Sequence, residues 1–217
     1  MDQEHKGEGN GPGPFLRLLR EAVGKMVHIQ HGEAFLSWMR VEAPHRFPEI
    51  FGGLPHGVSR ALATELGWQI WNATPLSWKG ERPLPLRRPP VKAPCACRSG
   101  RAYGSCCAGA PPVPGLSPNL LWAFVTAELP LDEVTMLAQE GAIPRPYLGI
   151  VARRLVEAGR RSRAIALFEP LFADPEFLDK SSMDALDELM EAQERLGSEE
   201  VSSFVERFTA LFQRNHQ

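Results

Sequence analysis

Cys95-Ala96-Cys97-Arg98-Ser99-Gly100-Arg101-Ala102-Tyr103-Gly104-Ser105-Cys106-Cys107 divides a chain of 217 residues into a part before it and a part after it. Proline-rich sequence runs into it and out of it. Pro83-Leu84-Pro85-Leu86-Arg87-Arg88-Pro89-Pro90 precedes it, Pro111-Pro112-Val113-Pro114 follows it, and 9 of the 20 prolines fall between residues 83 and 118. Proline fixes φ and removes a donor, so these runs are expected to be extended arms rather than helix. The arms are expected to hold the cysteine segment away from two helical bodies.

The segment holds all 4 cysteines of the chain, as two pairs on either side of an eight-residue loop. Zinc takes four ligands in a tetrahedron, with sulfur at about 2.3 Å. Cys95 and Cys97 can converge on one ion if Ser99-Gly100 turns the chain back, and Cys106 and Cys107 then close the shell. Two disulfides are the competing account, which a reducing compartment disfavours. Four thiolates around Zn²⁺ leave a local charge of about −2, which Arg98 and Arg101 in the loop and Arg87, Arg88 and Lys92 before it are placed to offset. A filled shell leaves no position for water, so the ion would be structural rather than catalytic. A knuckle held apart by its arms would unravel on chelation and leave the helices intact.

On both sides apolar residues recur at helical spacing and no run alternates with period two, so an all-α chain is expected. Residues 1–14 hold four glycines and two prolines and read as a disordered tail. The N-terminal helical domain is expected over 15–81. Phe15, Leu16, Leu19, Ala22, Val23, Met26 and Val27 mark its first helix, which continues or breaks near Gly32 into Phe35, Leu36 and Met39. The prolines at 44 and 48 end it. Phe51-Gly52-Gly53-Leu54-Pro55 is a turn, and Val58, Leu62, Leu66, Ile70 and Trp71 mark a second helix. Residues 82–116 are the arms and the knuckle, and 117–217 the C-terminal helical domain. Ser117-Pro118 starts a helix there, with Leu120, Leu121, Phe124 and Ala127 facing a core. A helix opened by Pro130 follows, and further ones are expected near 145–158, 161–173, 181–196 and 199–214.

Residues 145–178 resemble a tetratricopeptide repeat. Leu148, Val151, Ala152 and Leu155 stand at first-helix positions, Gly159 at the turn, and Ala164, Phe168 and Leu171 at second-helix positions. The C-terminal part is therefore expected to be tetratricopeptide-like hairpins or a plain antiparallel bundle.

The cysteine segment resembles the SEC-C motif, named for the C-terminal end of the SecA translocation ATPase. That motif reads Cys-x-Cys-x-Ser-Gly-x-x-Tyr-x-x-Cys followed by Cys or His. Cys95, Cys97, Ser99, Gly100, Tyr103, Cys106 and Cys107 match it. Ala96 stands where proline is common, Arg98 where glycine is common, and the usual lysine-rich loop is reduced to Arg101. The resemblance implies a zinc-binding knuckle that serves protein interaction, with the SecB chaperone and ribosomes as partners of some members. Nothing of the SecA motor accompanies it, since no Gly-x-x-x-x-Gly-Lys-Ser/Thr run occurs.

The charge pattern agrees with three regions. Net charge is −2, but residues 82–127 carry six Lys or Arg and no acid, whereas residues 128–217 are strongly acidic. No stretch approaches the roughly 18 consecutive apolar residues of a membrane helix. The polar, glycine-rich N-terminus lacks the layout of a secretory signal, so a cytoplasmic protein is expected. His28 and His31 fall three apart in the first helical stretch, but no third ligand accompanies them. His45 and His56 are expected in loops. Trp38, Trp68, Trp71 and Trp78 read as core, and Asp184, Asp187, Glu188, Glu191 and Glu194 as a solvated helix face. An adaptor or chaperone-like accessory protein is the reading these features favour. The runner-up is ribosome or RNA binding through the basic segment, and the third is an enzyme with its site near His28, His31 and the tryptophans.

Overall fold

A computed structural model of the chain describes residues 12–76, 85–110, 113, 115–169, 186–187, 190–191 and 199–215. The chain is mostly helical, and the described residues include no strand, only a single antiparallel bridge between Pro94 and Ala102. No described helix is long and apolar enough to cross a membrane. Two compact units divide the chain, residues 1–121 and 122–217.

The first unit begins with α1 (Pro14–Ile29), which buries Leu18, Leu19, Ala22, Val23, Met26 and Val27 along one stripe. Phe15 and Leu16, expected in that stripe, are partly exposed in its first turn. The helix does break before Gly32. Gln30 adopts the left-handed conformation with φ 51, and its N–H returns to the Met26 carbonyl at 3.0 Å. His31 is then the N-cap of α2 (Gly32–Val41), its Nδ1 accepting from the Ala34 N–H. His28 and His31 therefore do not share a helix face, and both are exposed. After α2 the prolines open two short helices instead of leaving a loop: α3 (Ala43–Arg46) and α4 (Pro48–Phe51). His45 lies in α3 and His56 opens α5 (His56–Ala73), so neither is a loop residue.

Buried positions occur all round α5, from Ser59 and Ala61 to Ile70 and Trp71. A helix apolar on more than one face needs a cover on more than one side. α2 is one cover. At their crossing a side chain on Gly67 would stand 2.9 Å from Leu36 Cδ2 and 3.1 Å from Met39 Cγ, so glycine lets the two backbones approach. α1 and α3 also pack on it, and a further cover is the cysteine segment, described below. Trp38, Trp68 and Trp71 are all buried, as core readings require, and Trp78 lies outside the described residues.

The second unit takes most of α6 (Pro118–Glu128), with α7 (Leu131–Gln139), α8 (Leu148–Glu157), α9 (Arg161–Phe168) and α10 (Glu199–Asn215). α6 buries Leu121 and Val125, one turn apart, while Leu120 is 38% exposed and Phe124 and Ala127 only half-buried. Its last carbonyls are held by the Arg154 guanidinium of α8, which donates to the Thr126 carbonyl and to the Leu129 carbonyl at 2.7 Å. α7 packs on α8, α8 on α9 and α9 on α10. Leu148, Val151, Ala152, Leu155, Ala164 and Phe168 are buried in the α8–α9 hairpin, and Gly159 turns it at φ 73. Phe168, Phe204 and Phe208 then close an aromatic cluster against α10. Leu171, the tail through residue 11 and most of 170–198 lie outside the described residues. Of the acidic run, Asp187 and Glu191 are described and exposed.

Gly67→Leu is expected to lower unfolding free energy by about 1–3 kcal/mol through overpacking at the α2–α5 crossing. Urea denaturation checks this, and Gly67→Ala should cost less because helix propensity offsets the contact.

Candidate metal centre

The proline arm does not hold the cysteines away from the helices; it is tied down along α5. Ala61, Glu65, Trp68 and Asn72 recur at four- and three-residue steps and so share one side of that helix. Asn72 receives the arm as a backbone would. Its Nδ2 donates to the Leu86 carbonyl at 3.1 Å, and its Oδ1 accepts from the Leu86 N–H at 2.9 Å. Two residues on, Arg88 forms an ion pair with Glu65, a carboxylate with little solvent around it. Leu86 also lies against Gly32 at the start of α2, where an added side chain would meet Leu86 Cδ2 at 2.5 Å. The return arm is held too, since Gln69 Nε2 donates to the Val113 carbonyl at 3.2 Å.

The knuckle itself is a two-armed turn. The backbone N–H of Tyr103 donates to the Ala93 carbonyl at 2.8 Å, that of Cys95 to the Arg101 carbonyl at 2.9 Å and that of Gly104 to the Val91 carbonyl at 2.8 Å. Gly104 is required by that last approach, because a Cβ there would stand 2.3 Å from Val91 Cγ1. The chain reverses over Arg98 at φ 56 and Gly100 at φ 78, with the Arg98 N–H bonded to the Cys95 carbonyl. Two 3₁₀ turns, Tyr103–Ser105 and Cys107–Gly109, then bring back Cys106 and Cys107.

The four Sγ atoms lie within 4.8 Å of one another. Tetrahedral zinc–thiolate bonds of about 2.3 Å imply sulfur–sulfur edges of about 3.8 Å, so one ion fits among these atoms without rearranging the backbone. Cys95, Cys97 and Cys107 are buried and Cys106 half-buried, and none is in a disulfide. The four predicted ligands are thus brought together, and they form the one group placed to hold a metal among the described residues. Ser99 Oγ lies 3.1 Å and Arg101 Nη2 3.3 Å from Cys106 Sγ, so the sulfur nearest solvent has a cationic donor beside it. Burial, and then hydrogen bonding from Cys95 and Cys97, push the Cys107 thiol up. A divalent cation reverses that preference by supplying the charge that ionised sulfurs need.

Behind the sulfurs is the helical core. Cys95, Cys97, Tyr103 and Cys107 form one buried cluster with Leu36 of α2 and Ala61 and Trp68 of α5. Tyr103 meets Trp68 edge-on at 5.9 Å between ring centroids. Burial, first, pushes the Tyr103 hydroxyl up. Two arginines reach the Cys95–Cys97 turn from the helices: Arg40 Nη1 donates to the Ala96 carbonyl at 2.6 Å, and Arg60 donates to that of Cys97. Arg40 is 3% exposed, and its Nη2 is buried with no partner. Burial, then the nearby charge of Arg98, holds its guanidinium below the usual range, with Glu33 acting the other way.

Sequence reasoning missed Arg40, Arg60, Glu65 and Asn72. The signal for two of them was present: Glu65 and Asn72 are in phase with Ala61 and Trp68 along α5. The chain matches no protein-family model, no curated protein and no solved structure. The cysteine geometry is compatible with a zinc-knuckle-like motif and does not by itself identify one.

Because Trp68 lies under the knuckle, Trp68→Ala is expected to cost about 3–5 kcal/mol. Urea denaturation of the full chain measures it. A loss below 1 kcal/mol would mean that the knuckle does not rest on α5.

Proposed function

We propose that Cys95, Cys97, Cys106 and Cys107 hold one structural Zn²⁺, and that the centre shapes a surface for protein interaction. The convergence of four thiols within 4.8 Å carries this reading. An all-thiol donor set suits a soft or borderline ion such as zinc, and the shell it fills leaves no open position for substrate water. When bound, the ion would draw the two ends of the knuckle together over Trp68. The chain's own residues do the rest: Asn72 and Glu65 seat the arm, and Arg40 and Arg60 fix the carbonyls of the turn.

The side turned to solvent is the loop Arg98-Ser99-Gly100-Arg101, all four exposed, with Arg87 and Lys92 exposed on the incoming arm. Such a basic loop suits an acidic protein surface. The resemblance to the SEC-C motif points to the same use, in an adaptor or accessory factor of a SecB-type chaperone or the ribosome. Arg98 lends it support, since it takes the left-handed φ at the position where the motif commonly has glycine. RNA binding is less well served. Arg88 is spent on Glu65, and Tyr103, the knuckle's one aromatic, is buried against Trp68 and offers no face for a base.

Elemental analysis of the purified chain is expected to find one zinc per protein, and Cys107→Ser should reduce it. A metal-free protein with full thermal stability would overturn the metal reading. Arg98→Glu with Arg101→Glu, both exposed, should keep the metal and weaken binding to a purified SecB-type chaperone or to ribosomes at least tenfold. Unchanged binding to whichever of the two the wild-type chain binds, or no binding of either by the wild type, would remove the loop from the proposed interface.

A further inference from the structure

The two arginines that enter the knuckle from below have no evident reason to be there if the metal site is a property of residues 95–107 alone. Arg40 comes from α2 and Arg60 from α5, separated in sequence from their acceptors by 56 and 37 residues. Both acceptors, the Ala96 and Cys97 carbonyls, belong to the turn that carries the first cysteine pair. Arg40 is buried, one of its two terminal nitrogens has no partner, and two cations, Arg98 and Arg60, act on it against Glu33 on its own helix and Cys97 of the knuckle. A buried cation in cationic company is costly unless negative charge lies close by. Four thiolates around a divalent ion carry that negative charge.

We infer that Arg40 and Arg60 are positioning residues of the metal centre. Their N–H groups fix the Cys95–Cys97 turn, and their charges offset the thiolate shell, so the N-terminal helices are part of the site. This rests on the zinc reading above. Arg101 does the same from the solvent side through Cys106 Sγ; Arg40 does it where water does not screen it, and half-exposed Arg60 from the edge of the core. Partners outside a metal's ligand shell commonly control affinity by about 10- to 100-fold.

The test uses the full-length chain, with zinc affinity measured by competition against a chromophoric chelator. Arg40→Met and Arg60→Met keep the apolar stem and remove the charge; Arg40→Lys and Arg60→Lys keep the charge and one donor. Each methionine variant is expected to bind zinc about 10- to 100-fold more weakly, and each lysine variant to recover most of the loss. Unfolding of the zinc-free proteins is measured alongside. A merely structural arginine would destabilise zinc-free and zinc-bound chains equally and leave affinity unchanged, and that result overturns the inference. If Arg40→Met does not fold, the half-exposed Arg60 pair decides. Failure of the wild-type chain to take up zinc would defeat the metal reading itself, whereas zinc uptake equal in wild type and variants would defeat only this inference.

Discussion

The first unit depends on one packing relation: the cysteine turn is a further cover of α5. That helix is buried nearly all round, and α1, α2 and α3 together close only part of it. Another side, Ala61, Glu65 and Trp68, with exposed Asn72 at its edge, would face water were the knuckle not laid over it. The knuckle needs α5 in return. A segment of some two dozen residues cannot bury enough surface to stand alone without a metal or a neighbouring body. Here the neighbouring body is α5, and the proposed metal would be held by atoms of the same contact. The cysteine side chains that would bind the ion are also apolar members of the helical core.

This changes the role of the prolines. The described ones stiffen the approach, as their fixed φ requires, but the stiffness is used to lay an extended strap along α5 rather than to hold the knuckle off it. An extended arm leaves its backbone groups unpaired. Asn72 satisfies both groups of Leu86 with one side chain, and Arg88 reaches Glu65 from the same strap. The strap, the turn and the helix therefore share their polar contacts as well as their apolar ones.

The helices were legible because period-3.6 patterning is a local property, and the cysteine set was legible because its ligands lie close in sequence. The break before Gly32 could be placed, but not the left-handed Gln30 or the His31 cap that make it, since neither residue type demands that conformation. On α6 the expected face was off by part of a turn: a helix with apolar residues on most sides, such as Leu120, Leu121, Phe124 and Val125, does not declare which side is covered. The docking of the knuckle was not legible. Proline spacing specifies the shape of an arm and nothing about where it lands. Arg40 and Arg60 find their partners across 56 and 37 residues, and such pairs leave no periodic trace. In α5 the apolar positions alone do not mark the covered side, since Val58 among them is 36% exposed.

The four cysteines are less an appendage than a closure of the N-terminal unit, with the Arg98–Arg101 loop left exposed. The most direct test is amide hydrogen exchange on the full chain with zinc bound and with zinc removed. A knuckle that closes the core requires faster exchange in α5 around residues 60–72 and in the strap at Leu86, as well as in residues 95–107, once the ion is removed. Acceleration confined to 95–107, with α5 protected as before, would contradict it.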